Sequence, residues 1–396
     1  MRILYIVNNA AFFCSHRLPL ALAARAAGHE VALATGGAGS PTLEAPALRE
    51  LQVQQIPHHV VAFSSGGMNP LREVRGLWQL TRYMRRWRPD VVHCASPKGL
   101  LYGGLAARLN RVPALVLAVS GMGSMTTPGA SRLRRLLRSA YMQVVRLAYG
   151  HRNRRVIVQN GDDRQVIVSH GFATEAHTVL IPGSGVHLPP YLALDLQLRE
   201  PLVVLPARLL KEKGVLVFVD AVRLLRQRGI AWRFALLGTA DYANSSSVTE
   251  SVIRTWEQAG LIEWWGHRTD MPAVLGQARI VCLPSFYGEG MPKALLEAAA
   301  AGCAVVTTNA TGCREAVLPG VTGDLVPPRD AQALALALQR LIEDPVRCLA
   351  YGTAGRNMAR ERFDLDAVVT RTLELYGELY ALSNPVAALA VKRSAG

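Results

Sequence analysis

Two carboxylates, Glu289 and Glu297, stand in the run Pro284-Ser285-Phe286-Tyr287-Gly288-Glu289-Gly290-Met291-Pro292-Lys293-Ala294-Leu295-Leu296-Glu297. An apolar strand precedes the run and a helix follows it. Gly288 and Gly290 permit a tight turn and a close approach of backbone to a ligand. Pro292 suits the first helical position. The N–H groups at such a helix start form an anion site, matched to a diphosphate. Glu289 in the loop and Glu297 one to two turns into the helix could grip hydroxyls at two ends of a sugar-containing ligand. The alternative for the run taken alone, a solvated Glu289 and an exposed Glu297, is the less favoured of the two. A second group, Arg208 and Lys213, flanks a turn in Pro206-Ala207-Arg208-Leu209-Leu210-Lys211-Glu212-Lys213-Gly214. Two cations before a helix suit phosphate oxygens, although such a pair taken alone is more often solvated surface.

Those loops must hang from something rigid. Short apolar runs at 2–7, 31–35, 91–94 and 114–119 read as buried strands. They alternate with helical stretches at 17–27, 71–88 and 131–149. In the second of these, Val74, Leu77, Leu80, Met84 and Trp87 recur at helical spacing. In the third, Leu133, Leu136, Leu137, Ala140, Tyr141, Val144, Val145 and Ala148 form the apolar face. Composition shifts over 183–200, and the pattern repeats: strands at 202–205, 232–237, 280–283 and 304–308, helices at 213–228, 248–259, 292–301 and 365–382. The alternation predicts an α/β protein of two Rossmann-like, doubly wound domains facing a cleft. The expected division is 1–190 and 191–383, with a loose tail over 384–396 and the last helix crossing back to the N-terminal domain. Ligands of such sheets bind beyond the carboxyl ends of the strands, where both motifs lie.

Bulk properties narrow the classes. The 396 residues suffice for two buried cores. A hydrophobic content of 50% with 18% charged residues excludes disorder. The formal charge of +15 predicts an anionic partner. Cys14, Cys94, Cys282, Cys303, Cys313 and Cys348 show no C-x-x-C spacing, which argues against a structural zinc and for reduced thiols in the cytoplasm. The opening apolar run is too short for a secretory leader, and no stretch of about 20 apolar residues spans a bilayer. There is no G-x-x-x-x-G-K-[ST] loop, and no G-x-G-x-x-G follows the first strand. Asp364-Leu365-Asp366 has the form of a metal-binding DxD, but it opens the last helix, where Asp is a common cap. Aromatic residues are only 6% of the chain and no nucleic-acid motif appears, so a nucleic-acid partner is not expected.

Glu289-Gly-Met-Pro…Glu297-Ala, Ala301-Gly302-Cys303-Ala304-Val305-Val306 and Gly312-Cys313-Arg314-Glu315 together resemble glycosyltransferase family 4. Arg208…Lys213-Gly214 resembles that family's phosphate-binding loop, and Gly183-Ser184-Gly185-Val186 its interdomain signature. These pieces cover the C-terminal half in the expected order. The resemblance implies a GT-B fold and retaining transfer from a nucleotide-diphosphate sugar, UDP being the commonest family choice, without an obligatory metal or other cofactor. It implies that Arg208 and Lys213 hold the diphosphate, that Glu297 binds the ribose, and that Glu289 with Gly290, Met291 and Pro292 holds the sugar. Gly266 joins this donor set.

Phe12-Phe13-Cys14-Ser15-His16-Arg17-Leu18-Pro19, His93-Cys94-Ala95-Ser96-Pro97-Lys98 and Ser120-Gly121-Met122-Gly123 each follow a strand. They resemble a subgroup acting on polyprenyl-diphosphate-linked sugars in bacterial surface-polysaccharide assembly. By that resemblance His16, Arg17, Lys98 and Gly121 meet a lipid-linked acceptor, with Arg17 and Lys98 on its phosphates. His16 and His93 read equally well as ordinary hydrogen-bonded strand-end residues. Many family members carry an important His where this chain has Ser120-Gly121. A family member with a soluble acceptor, of the glycogen or sucrose synthase type, is the alternative. Arg82, Arg85, Arg86, Arg88, Arg132, Arg134, Arg135, Arg138, Arg152, Arg154 and Arg155 all lie in the N-terminal half. They suggest peripheral docking on the anionic inner face of the cytoplasmic membrane, or simply a solvated basic face.

Overall fold

Alternation of buried strand and amphipathic helix builds two separate parallel sheets in the computed structural model, which describes residues 1–37, 41–64, 69–121, 132–241 and 244–384. The first sheet comes from β1 (Arg2–Val7), α1 (Ala10–His16), α2 (Leu18–Ala26), β2 (Glu30–Gly37), α3 (Pro41–Val53), β3 (His58–Ser64), α4 (Pro70–Trp87), β4 (Val91–Ala95), α5 (Pro97–Leu109), β5 (Ala114–Ala118), α6 (Arg132–Tyr149), β6 (Arg154–Val158), α7 (Gly161–Ser169) and β7 (Thr178–Leu180). Its strand order is β3-β2-β1-β4-β5-β6-β7, so the winding reverses between β1 and β4. The second comes from α8 (Pro189–Leu192), β8 (Glu200–Pro206), α9 (Val215–Gln227), β9 (Arg233–Leu237), α10 (Glu250–Gln258), β10 (Glu263–Trp264), α11 (Met271–Gln277), β11 (Ala278–Leu283), α12 (Lys293–Ala301), β12 (Ala304–Thr308), β13 (Gly323–Val326), α13 (Ala331–Glu343) and α14 (Pro345–Arg362). Its order is β10-β9-β8-β11-β12-β13, reversing between β8 and β11. Strands β4, β5 and β12 are buried throughout, as parallel strands covered on both faces must be.

The units divide at Ile181/Pro182 rather than at 190/191, and the second ends at Ala367 rather than at 383. The connecting segment belongs to the second unit for steric and hydrogen-bonding reasons. A Cβ on Gly183 would stand 2.5 Å from Leu296 of α12, and Val186 pairs with Asp364. From Val368 onward α15 (Leu365–Ser383) belongs to the first unit, as expected of a returning helix. Asp364 precedes α15, and its carboxylate accepts the Asp366 N–H at 3.3 Å, the local capping role expected of the DxD string. Residues 385–396 of the expected tail lie outside the described residues.

Two helical expectations change in detail. The helix expected over 17–27 is α2, Leu18–Ala26, and an additional helix, α1, precedes it across the break at Arg17. In α4 the buried face is Glu73, Gly76, Leu80 and Met84, while Val74 is 68% exposed. Gly76 is the reason: a Cβ there would stand 3.0 Å from the Phe63 nitrogen of β3, so the helix docks on its glycine. On α6, Val145, Ala148 and Tyr149 are buried, whereas Ala140 and Val144 are exposed. The side chains of Leu133, Leu136 and Leu137, and of the four arginines at its start, lie outside the described ones.

Candidate active site

Loops leaving β8 and β11, at the reversal of the second sheet, carry Arg208–Lys213 and Ser285–Pro292. The Lys213 ammonium pairs with Oε2 of Glu289. Both side chains are mostly buried, 16% and 12% exposed. Wholly buried Ser285 donates its hydroxyl to Oε1 of Glu289 at 2.6 Å. Backbone contacts set this geometry. The Phe286 N–H donates to the Glu212 carbonyl at 3.0 Å, tying the β11 loop to the β8 loop. Gly214, at φ +78°, lies so close to Pro284 that a Cβ would stand 2.1 Å from its carbonyl oxygen. Gly312, at φ +84°, does the same from the β12 loop, 2.4 Å from the carbonyl oxygens of Glu289 and Gly290. Arg208 is exposed, and no hydrogen bond or ion pair holds its guanidinium among the described residues.

Helix α12 begins at Lys293, and Pro292 is its N-cap rather than its first residue. Its ψ of 119° is extended, and its carbonyl accepts the first intrahelical bond, from Leu295 N–H at 2.9 Å. The positive end of the helix dipole therefore adjoins Gly290–Pro292. The Met291 side chain packs into the core of the second unit. Glu297, in the second turn, is 13% exposed and lies 3.5 Å from the Lys293 ammonium. Burial pushes its carboxyl up from the ordinary range, with Lys293 and a hydrogen bond from Tyr191 pulling the other way. Gly266, at φ +66°, follows β10, and its carbonyl accepts the Gly238 N–H at 2.7 Å. Lys213, Glu289 and the helix start thus come together. Glu297 lies a turn deeper, and Gly266 stands two strands away from β8.

Ser285, Tyr191 and Gly312 complete this arrangement without having been singled out as site residues. Gly312 belongs to the quoted family pattern, so it was findable there. A serine ending a strand and a tyrosine about a hundred positions from its carboxylate carry no sequence signal.

The acceptor-side candidates in the first unit stand in different local settings. His16 is exposed, stacked on Phe12 at 4.6 Å and bonded to Ser15. Arg17 is 6% exposed, and burial lowers its pKa while Tyr376 and Tyr5 pull it back up. Its position at the break between α1 and α2 turns it inward rather than toward a strand-end loop. Lys98, in the first turn of α5, forms a buried ion pair with Glu73 of α4 at 2.6 Å. Gly121 has φ +102°, but Met122-Gly123 beside it lie outside the described residues. His93 lies within β4 rather than at its end, and its Nδ1 bonds the Tyr376 hydroxyl at 2.7 Å.

Among the described residues no group of three or more His, Cys, Asp or Glu side chains is placed to hold a metal. None of the described helices is long and apolar enough to cross a membrane.

Models of two families match the chain: Glycosyltransferase Family 4 over residues 17–184 and Glycosyl transferases group 1 over residues 200–344. The chain belongs to glycosyltransferase family 4. It is an enzyme of the glycosyltransferase class with the GT-B fold. This glycosyltransferase is 25% identical to the N,N'-diacetylbacillosaminyl-diphospho-undecaprenol alpha-1,3-N-acetylgalactosaminyltransferase of Campylobacter jejuni, over 83% of this chain and 87% of that one. It is 24% identical to the UDP-Gal:alpha-D-GlcNAc-diphosphoundecaprenol alpha-1,3-galactosyltransferase of Escherichia coli, over 77% and 80%. Its fold matches that of Anabaena HepE, crystallised with UDP, at a TM-score of 0.72 and 20% identity, over 96% of this chain and all of the other.

Proposed function

We propose that this enzyme transfers a hexose or N-acetylhexosamine, with retention, from a nucleotide-diphosphate sugar to a saccharide carried on a polyprenyl diphosphate. UDP is the expected nucleotide. The product belongs to a bacterial surface polysaccharide or related glycan, made at the inner face of the cytoplasmic membrane. The reaction needs no obligatory metal, because protein cations and helix N–H dipoles take the charge that builds on the leaving diphosphate. The reading is carried by the Lys213–Glu289 pair at the reversal of the second sheet. Two relatives that align over most of the chain are named for diphospho-undecaprenol acceptors and for alpha linkages, which supports the acceptor class.

In this scheme Lys213 and Arg208 meet the diphosphate oxygens. An ammonium carries three N–H donors, and the one directed at Glu289 fixes the aim of the others. Glu289, oriented by Ser285 and Lys213, accepts from sugar hydroxyls through its remaining lone pairs. Glu297 takes the ribose hydroxyls. Arg208, unheld at the loop tip, is placed to close on the phosphates.

A panel of nucleotide sugars tests the donor: the true one raises the melting temperature, by about 2.7 kcal/mol of added stability at a hundred times its Kd. Lys213→Ala and Glu289→Ala each lower kcat by a hundredfold or more, about 3 kcal/mol in barrier, with circular dichroism unchanged. Full turnover by either variant removes that residue from the mechanism. Transfer to a polyprenyl-diphosphate-linked saccharide, but not to a soluble glucan, identifies the acceptor class.

A further inference from the structure

Helix α4 carries an apolar stripe on its solvent side. Leu71 is 83% exposed, Val74 68% and Trp78 59%. At the pitch of an α-helix these three fall within about 60° of one another, opposite the buried face formed by Glu73, Gly76, Leu80 and Met84. The charged residues on the exposed side are all basic: Arg72, Arg75, Arg82, Arg85 and Arg86. The helix has one acidic residue, Glu73, which is turned inward and paired with Lys98. The Arg82 guanidinium lies 5.5 Å from the Trp78 ring, so even the aromatic residue is bracketed by positive charge. An exposed Leu-Val-Trp stripe whose charged neighbours are all arginine is the composition of a helix lying in a lipid interface. Tryptophan prefers the headgroup level, and arginine stems reach the lipid phosphates.

The first turn of α4 is joined to the first turn of α5 by Glu73–Lys98, and its last turn meets the end of α5 through Arg85 and Asn110. Helix α5 starts where β4 ends. The stripe therefore flanks the carboxyl edge of the first sheet, where a doubly wound sheet takes its ligand.

We infer that α4 is the membrane-docking surface of this enzyme: Leu71, Val74 and Trp78 enter the headgroup region of an anionic leaflet while Arg72, Arg75 and Arg82 pair with lipid phosphates. This rests on the lipid-linked acceptor reading and specifies it, because the docked helix brings the acceptor edge of the first unit to the bilayer. Anchoring of this kind combines charge with apolar insertion. Salt weakens it, and loss of the apolar stripe weakens it further.

The test uses the full chain with phosphatidylcholine–phosphatidylglycerol vesicles and with phosphatidylcholine vesicles. The wild type sediments with the anionic vesicles, more at low salt than at high. The variant Leu71→Ser/Val74→Ser/Trp78→Ser loses at least about tenfold in partition coefficient, while its melting temperature holds. Brominated lipid quenches tryptophan fluorescence in the wild type and does so less in Trp78→Phe. Equal partition of wild type and triple variant overturns the proposal. So does a wild-type dimer that the triple variant dissociates, since the stripe then covers a second copy. The acceptor reading is separated by assaying a water-soluble, short-prenyl diphosphate acceptor. The triple variant turns this over like wild type and fails only on acceptor held in vesicles. If neither protein uses any diphosphate-linked acceptor, the acceptor reading fails, and the vesicle result still decides the surface.

Discussion

At the scale of single residues, Glu289 in the β11–α12 loop and Glu297 in α12 live in different electrostatic settings. Glu289 is compensated: one oxygen meets an ammonium and the other a buried hydroxyl. Glu297 is largely buried, and a lysine at 3.5 Å with one tyrosine only partly offsets its desolvation. A raised carboxyl pKa means that the folded state holds the proton more tightly than the unfolded chain does. Ionising Glu297 therefore costs stability above its ordinary value of 4.5, and the cost grows as pH rises through the folded value. Ribose hydroxyls would stabilise the ionised form. The donor KM is expected to rise as pH falls toward a pKa above 4.5, and Glu297→Gln should weaken donor binding and abolish that acid limb. An unchanged limb in Glu297→Gln assigns the titration elsewhere. Glu289 and Lys213 were legible as candidates because charge at a strand end is visible in sequence. Their contact was not, since 76 positions separate them and only the sheet order brings β11 beside β8.

At the scale of elements, the site is an interlock of three strand-end loops rather than a set of side chains. Gly214 and Gly312 have positive φ and press against neighbouring carbonyl oxygens. Any side chain at Gly312 meets two backbone oxygens at once, and neither can swing away as a side-chain end would. Gly312→Ala is expected to displace Glu289 and Gly290 and to lower kcat/KM by a hundredfold or more, as small misplacements of positioning groups do. The unfolding transition of the second unit should persist. Wild-type kinetics in Gly312→Ala would show that the β12 loop does not position the donor site. The same scale explains where the helical reading of α4 went astray. Its periodicity was apparent, but two apolar stripes compete on that helix, and the choice of face depended on Gly76 fitting against Phe63.

At the scale of the whole molecule, the last helix returns to the first unit and is held there by a buried polar chain. The Tyr376 hydroxyl bonds His93 Nδ1 at 2.7 Å and lies 3.2 Å from the Tyr5 hydroxyl, while Tyr5 and His93 are register partners in β1 and β4. Burial, with Arg17 nearby, holds His93 well below its ordinary 6.5. Its folded pKa is depressed, so the unfolded chain takes up the proton first and this contribution to stability is lost as pH falls below 6.5. Tyr376→Phe leaves a buried nitrogen unpaired and should lower the opening free energy of α15 amides in hydrogen exchange by about 1–3 kcal/mol. Unchanged protection would mean that apolar packing alone retains the helix.

By itself the sequence determined the α/β alternation, the two-unit plan, the returning last helix and the strand-end loops that carry glycine and charge, because each is written in local periodicity, glycine placement and charge at strand ends. Tertiary structure alone decided which unit owns the connecting segment, that Glu289 is spoken for by Lys213 and Ser285, that Arg17 and Lys98 are buried, and which face of α4 meets solvent. Apart from the Ser285 contact, which is local to Glu289, each of those outcomes depends on a partner distant in sequence that the packing of strands and helices brings close.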